Sequence, residues 1–406
     1  MTLALTALAV GGLMAAPALA APTWVTANSN STGDQDVAAV ATNRNGDVAV
    51  VWEDDRDATD AENNNHSEIY LRLFRNGTAA YELKLSAGGT SGVQWKHLAP
   101  DVGLDDQGNA VVVWADDPDG NGFYNIPYRV VSPAGAIRAS GRANASADGQ
   151  QLWPKVAVDP DGTPATPAAV AFTVAWEDTQ GTAPSTVKAA GYTNLTTKAY
   201  EVTASQTTGS HRRPDIAVSA SGDARVVWEE DSDANAAYNI GLVGLAKSNG
   251  AVNLTRRIAN TTSGGQHARP SIAANFNGAF AVAWESGGAA WTRSFTPAAA
   301  PRHGDVSVAT GAKVPGIGID DQANTVVAWT VQATDLDTWA RGFNPDGTTT
   351  GRLASHALMS VPAGKQDGMA IAVSAWGEVN VTYADDNDGN TWDQVYLGMG
   401  FVNSSW

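Results

Sequence analysis

Along most of the chain, apolar residues alternate with small or polar ones in short runs, and each run ends in Asp-Gly, Asn-Gly, Ser-Gly or a similar turn. A period of two marks half-buried β-strands, and the tight turns between them mark antiparallel hairpins. The pattern also repeats: "GNAVVVWADD" (108–117), "AFTVAWEDTQ" (171–180), "GDARVVWEED" (222–231), "GAFAVAWESG" (278–287) and "ANTVVAWTVQ" (323–332) are versions of one segment. "GDVAVVWEDD" (46–55) precedes them and "GEVNVTYADD" (377–386) follows, so Trp52, Trp114, Trp176, Trp228, Trp284, Trp329 and Tyr383 anchor seven copies.

Before each anchor stands a shorter apolar run closed by a turn, as in "PDVGLDDQG", "PKVAVDPDG" and "PDIAVSASG". After it come a third run such as "EIYLRLF" or "NIPYRVV", a second turn, and a fourth run such as "YELKLS" or "YEVTAS". Each copy is therefore predicted to be a four-stranded antiparallel meander, the unit of a propeller blade. The last copy runs out after its third strand, "QVYLGMGF", while "TWVTANSNSTGDQ" (23–35) matches the fourth-strand stretch "YEVTASQTTGSH" (200–211). The expectation is an all-β, seven-bladed β-propeller over residues 21–406, its ring closed by the N-terminal strand completing the last blade. The anchor side chains are then expected to fill the space between neighbouring sheets.

Composition narrows the partners. The 406 residues carry a formal charge of −17 and no cysteine. Such a surface repels phosphate backbones and anionic headgroups, so nucleic acid is excluded as a partner, whereas divalent cations and sugars are not. Residues 1–20, "MTLALTALAVGGLMAAPALA", are uncharged, apolar and end in Ala-Leu-Ala, which reads as a signal peptide lacking the usual basic start. A secreted, extracellular protein follows, with no membrane insertion after cleavage and no disulfides to supplement its core.

The repeat resembles bacterial exported propellers whose blades read Q-x-x-P-x-V-A, turn, V-V-W-x-D, acidic loop, I-Y, and the likeness covers nearly all of the chain after the signal segment. The resemblance implies a secreted propeller of lectin- or adhesin-like kind and specifies a fold, not a reaction. The sixth copy departs from it, with Ala312 at the Gln position and "TVQATDLD" in place of the acidic loop.

Strand direction in a meander places the acidic loops and the Q-x-x-P segments on one rim. In "DDPDGNGFYN" (116–125), Asp117, Asp119, Asn121 and Asn125 occupy positions one, three, five and nine, a spacing used to hold hard cations. Asp231, Asp233, Asn235 and Asn239 repeat it, and Asp386, Asp388 and Asn390 repeat its first three positions. These are the candidate metal ligands and calcium is the implied cofactor; the competing reading is a solvated Asx turn. The second set aligns on the proline: Gln35, His97, Gln151, His211, His267 and Gln366 stand three residues before it or its equivalent, and Trp153, Arg213 and Arg269 one residue before. These are the candidate ligand-binding residues, with Trp95, Trp153 or Trp392 offering an apolar face to a sugar ring. The competing reading gives the Gln and His residues to main-chain groups between blades.

No nucleophile elbow, zinc-protease, phosphate-loop or dinucleotide motif is present. The leading expectation is thus a non-enzymatic module that recognises an extracellular glycan or cell-surface protein, with calcium ordering its loops. The alternatives are a polysaccharide-acting hydrolase or lyase using rim carboxylates, and a structural or adhesive surface protein.

Overall fold

The computed structural model describes residues 22–56, 67–87, 96–161, 170–262, 265–332, 336–350, 356–358, 366–386 and 392–402. The proposed signal segment lies outside them. The described residues form seven four-stranded antiparallel sheets and no helix. Six sheets are sequential meanders, such as Gln35–Thr42, Val48–Asp54, Glu68–Arg75 and Thr78–Lys84 in the first blade. The seventh is composite: Asp367–Val373, Glu378–Asp385 and Gln394–Val402 are completed by Thr23–Thr26. The register there pairs Thr23 with Met399 and Thr26 with Tyr396, so the start of the propeller hydrogen-bonds to its end as the sequence predicts.

The first strands of neighbouring blades contact one another all round the ring and line its axis. All seven anchor side chains are at most 2 % exposed. Trp114 packs against Val51, Leu71 and Leu73 of the first blade, and Trp52 against Val395 and Leu397 of the seventh, so each anchor fills the gap to the blade before it. In the first and fourth blades the acid two residues on takes the indole proton: Trp52 Nε1 donates to Asp54 Oδ2 at 2.7 Å, and Trp228 Nε1 donates to Glu230. A buried indole N–H needs an acceptor, and alternate residues on the same strand share a face.

The rim is ordered by contacts between two loop sets. Tyr124 and Tyr238, after the acidic loops of the second and fourth blades, accept main-chain bonds from Gln151 (3.2 Å) and His267 (2.9 Å), which open the next blades. Gly209, at φ +79°, enters such a connection so closely that a Cβ there would sit 1.8 Å from the Asp231 carbonyl oxygen. Only glycine combines that φ with that approach.

Two outcomes test this architecture. Trp228→Ala should cost about 3–5 kcal/mol in urea unfolding, the usual range for removing a fully buried Trp. A chain starting at Ala27 should melt at a lower temperature and self-associate in size-exclusion chromatography, because Gln394–Val402 becomes an open edge.

Candidate active site at the channel mouth

The Gln and His residues do not face a ligand. Gln35, Gln151, His211 and Gln366 are 0 % exposed, His267 1 % and His97 2 %. Gln35 Nε2 donates to the Thr32 and Gly33 carbonyls at 2.8 and 2.7 Å, while its Oε1 accepts from Asn28 Nδ2 at 2.9 Å. Gln151 repeats this with Asp148 O and Asn144, and His211 Nε2 donates to Thr208 O at 2.9 Å. Gln366 Nε2 donates to Asp385 Oδ2 at 3.0 Å, and His97 pairs with Asp116. Their recurrence comes from satisfying main-chain carbonyls where one blade hands over to the next.

The acidic loops are Asx turns in both blades where the spacing is complete. Asp117 accepts the N–H groups of Asn121 (3.1 Å) and Gly122 (2.9 Å), and Asn121 Nδ2 donates to Asp119 at 2.8 Å. Asp231 does the same with Asn235 (3.0 Å) and Ala236 (3.1 Å), and Asn235 donates to Asp233 at 2.7 Å. Burial, and the neighbouring Asp119 carboxyl, raise the pKa of Asp117. The position-nine residues leave the loop: Asn125 Oδ1 accepts from Asn144 at 2.8 Å and Asn239 Oδ1 from Asn260 at 3.1 Å, both beside the following connection. Asp386 is half-buried at the start of its loop, and Asp388, Asn390 and Trp95 lie outside the described residues. Among the described residues, no three Asp, Glu or His side chains gather as a metal-binding group.

The residue before the proline, or before Ala38 and Met369 where the first and seventh blades lack one, builds the mouth. Val37, Ala99, Trp153, Arg213, Arg269, Val314 and Gly368 all have φ between +45° and +59°. Each lies within a bulge that shifts the register of its first strand, as between Leu152 and Lys155. The extra residue turns its side chain out of the sheet at the channel end. Neighbours in this ring meet: the Arg213 guanidinium carbon is 5.9 Å from the Trp153 ring centroid, and a Cβ on Gly368 would lie 3.7 Å from Val37 N. Left-handed backbone is costly for residues other than glycine, and four blades offset that cost with a glutamate after the anchor Trp. Glu53 accepts the Ala99 N–H at 2.7 Å, Glu177 that of Arg213 at 3.1 Å and Glu229 that of Arg269 at 2.9 Å, while Glu285 accepts that of Val314. The other blades carry Ala115, Thr330 and Ala384 at this position.

Charge around the mouth is uneven. In the first blade, Asp36 stands directly across from Glu53, which places two carboxyl groups side by side. Burial, then the Asp36 carboxylate, push the Glu53 pKa from 4.5 up to about 8, against the lowering pull of the Ala99 N–H and Lys96. In the fourth blade, Arg212 holds the corresponding place: its Nε reaches Glu229 at 2.7 Å and its guanidinium stacks 4.0 Å above Tyr238. Below the mouth, Lys155 Nζ lies 3.3 Å from Asp101. Asp101 accepts the Val156 N–H at 2.7 Å and Asp215 that of Ile272 at 2.8 Å, each carboxylate reaching the next blade. Burial raises the Asp215 pKa to about 6, with the Lys155 ammonium opposing the rise.

The far end of the channel is closed. Arg44, in a turn of the first blade, packs its guanidinium 4.0 Å from the Phe276 ring of the fifth and pairs with Asp321 of the sixth at 3.5 Å. Its main-chain N–H donates to Asp106 at 3.0 Å and its carbonyl accepts from Trp376 Nε1 at 3.4 Å.

Asp36, Glu53, Asp101, Lys155, Arg212 and Asp215 carry no motif that marks them in the sequence. The signal was variation between copies: the column of Leu98, Leu152 and Ala268 carries Asp36, Arg212, Lys313 and Asp367 in the other copies, and the column of Ser271 carries Asp101, Lys155 and Asp215 in the second to fourth.

No family model matches the chain, and no curated protein matches it. Solved structures do. The K499G mutant of the NanB sialidase from Streptococcus pneumoniae aligns with a TM-score of 0.51 at 7 % identity, over 92 % of this chain and 70 % of that one. The same sialidase in complex with 2-[(3-chlorobenzyl)ammonio]ethanesulfonate gives 0.50 at 8 % identity, over 92 % and 69 %. An α-L-arabinanase from Penicillium chrysogenum, complexed with arabinobiose, gives 0.49 at 14 %, over 80 % and 99 %. At these identities the likeness shows the propeller fold, and the finer lectin- or adhesin-like repeat family has no sequence match behind it. The neighbours do correct one expectation: they are propeller enzymes that act on glycans, so the leading expectation of a non-enzymatic binding module is withdrawn.

The Glu53 shift has a measurable sign. Between pH 4.5 and about 8 the folded chain holds a proton that the unfolded chain has released, so this group's contribution to stability falls as pH rises through that window. Glu53→Gln keeps a carbonyl oxygen for Ala99 and removes the titration. Its melting temperature relative to the parent protein should therefore rise steadily from pH 4.5 to 8 and level off above it.

Proposed function

We propose that the chain is a glycan-cleaving enzyme of the glycoside hydrolase kind, with its active site at the channel mouth and Asp36 and Glu53 as the working carboxyl pair. The observation that carries the reading is the pairing of these two groups at the mouth, with Glu53 held protonated at neutral pH. Two carboxyl groups whose surroundings separate their proton affinities are the usual equipment for this hydrolysis. Glu53 gives its proton to the glycosidic oxygen as the bond to the anomeric carbon breaks. A water molecule completes the sugar, and Asp36 accepts the water's proton. Trp153, 48 % exposed on another blade of the same mouth, offers an apolar face for a sugar ring. The sialidase neighbours support the reading at the level of fold: a propeller of this shape accommodates glycan hydrolysis.

Release of reducing sugar from a broad polysaccharide panel tests it. Glu53→Gln and Asp36→Asn should each lower kcat by at least about 100-fold, in line with loss of an acid–base group. The parent activity should fall as pH rises past about 8, where Glu53 loses its proton. Full activity in both variants, with unchanged melting curves, would remove the pair from the reaction.

A further inference from the structure

The acidic pair occupies one side of the mouth, and the opposite arc, from the third to the fifth blade, has another character. There Trp153, Arg213 and Arg269 stand at successive places in the left-handed ring. We infer that this arc receives the carboxylate of an acidic sugar, with Arg213 and Arg269 as donors and Trp153 as the platform for the sugar ring. The inference rests on reading the mouth as a glycan site and not on any catalytic step.

Arg212 is committed, with Nε on Glu229 at 2.7 Å and its plane on Tyr238. The other two are not. Arg213 comes no nearer to Glu229 than 3.5 Å and Arg269 no nearer to Glu285 than 3.6 Å, ion pairs too long for hydrogen bonds of normal geometry. Their side chains are 41 % and 44 % exposed, and the glutamates beside them already accept ring N–H groups. Burial also raises the Glu177 pKa, which weakens the negative charge facing Arg213. Two forked cations with free donors are thus presented at the open end of a channel in a chain of net charge −17. Against that overall negative charge, the two guanidinium groups form a local positive patch whose hydrogen-bond donors the long ion pairs leave available to a ligand. A planar carboxylate matches the fork of a guanidinium, and Trp153, 5.9 Å from the Arg213 guanidinium carbon, adds a flat apolar face at the spacing of a ring-bearing ligand. The remaining ring positions, Val314, Gly368, Val37 and Ala99, are small or uncharged and leave space on the side of the acidic pair.

Matched probes test this: methyl glycosides of glucuronic and galacturonic acid against those of glucose and galactose, titrated into the full protein by calorimetry at low and high salt. At least one uronide should bind ten-fold or more tighter than its neutral partner, and added salt should reduce that difference. In Arg213→Gln/Arg269→Gln the preference should disappear, while Arg213→Lys/Arg269→Lys, which keeps the charge and the fold, should retain only part of it. Trp153→Ala should weaken both members of a pair. Equal binding within both pairs, no binding of either uronide at millimolar concentration, or an unchanged preference in the Gln variant would each overturn the proposal. Glu53→Gln separates this from the catalytic reading. Uronide binding without turnover in the parent protein would sink the hydrolase alone, and turnover of neutral glycans without uronide preference would sink the carboxylate site alone.

Discussion

The pairing of Thr23–Thr26 with Gln394–Val402 is the contact on which the rest of the structure depends. A propeller blade buries its two faces only against neighbours, and the first and last blades of an open row would each expose one. Joining the two chain ends within a single sheet locks the ring shut with backbone hydrogen bonds, so the circle cannot open without breaking a blade. Trp24 then meets Tyr383, with ring centroids 5.5 Å apart, which makes the seam as well packed as any other junction. Closure also gathers seven first strands about one axis, and the channel and its mouth exist because of it.

At the mouth, a structural requirement becomes a means of display. Every first strand carries the same bulge, and every bulge turns one side chain out of the sheet toward the channel. The backbone conformation is common to all blades while the side chain is free to differ, from Gly368 to Trp153. The glutamates that hold four of these bulges serve the fold first. Glu53 differs from the others because its cross-strand neighbour is an acid, where Glu177 faces Leu152, Glu229 faces Arg212 and Glu285 faces Ala268. One acid beside a repeated clamp thus leaves a structural carboxyl group protonated at neutral pH, because burial and a like charge both favour the neutral acid. The far end is treated in the opposite way, with Arg44 tying residues of several blades together across the axis.

Blade number, strand order, the seam and the inward-packed Trp anchors were all legible in the chain, since each depends on local alternation, turn residues or repetition. Repetition marks positions that the fold itself uses. Gln35, Gln151, His211 and their counterparts recur because every blade junction has main-chain carbonyls to satisfy, and a recurring need selects a recurring residue. The acidic loops likewise recur as Asx turns that bond their own N–H groups. Arg213, Arg269 and Trp153 stood out because they differ between copies, and the structure places these three on the mouth.

By itself the sequence determined a closed seven-bladed ring and which rim carries the variable loops, because strand alternation and hairpin turns act over a few residues. Only the tertiary structure decided that Asp36 faces Glu53, that the left-handed bulge residue of each first strand lies at the channel mouth, and that Arg44 spans the other end. Those outcomes depend on bulge geometry, on cross-strand register and on contacts between blades far apart in the chain. The proton affinity of Glu53 depends on the burial and the neighbouring charge that follow from them.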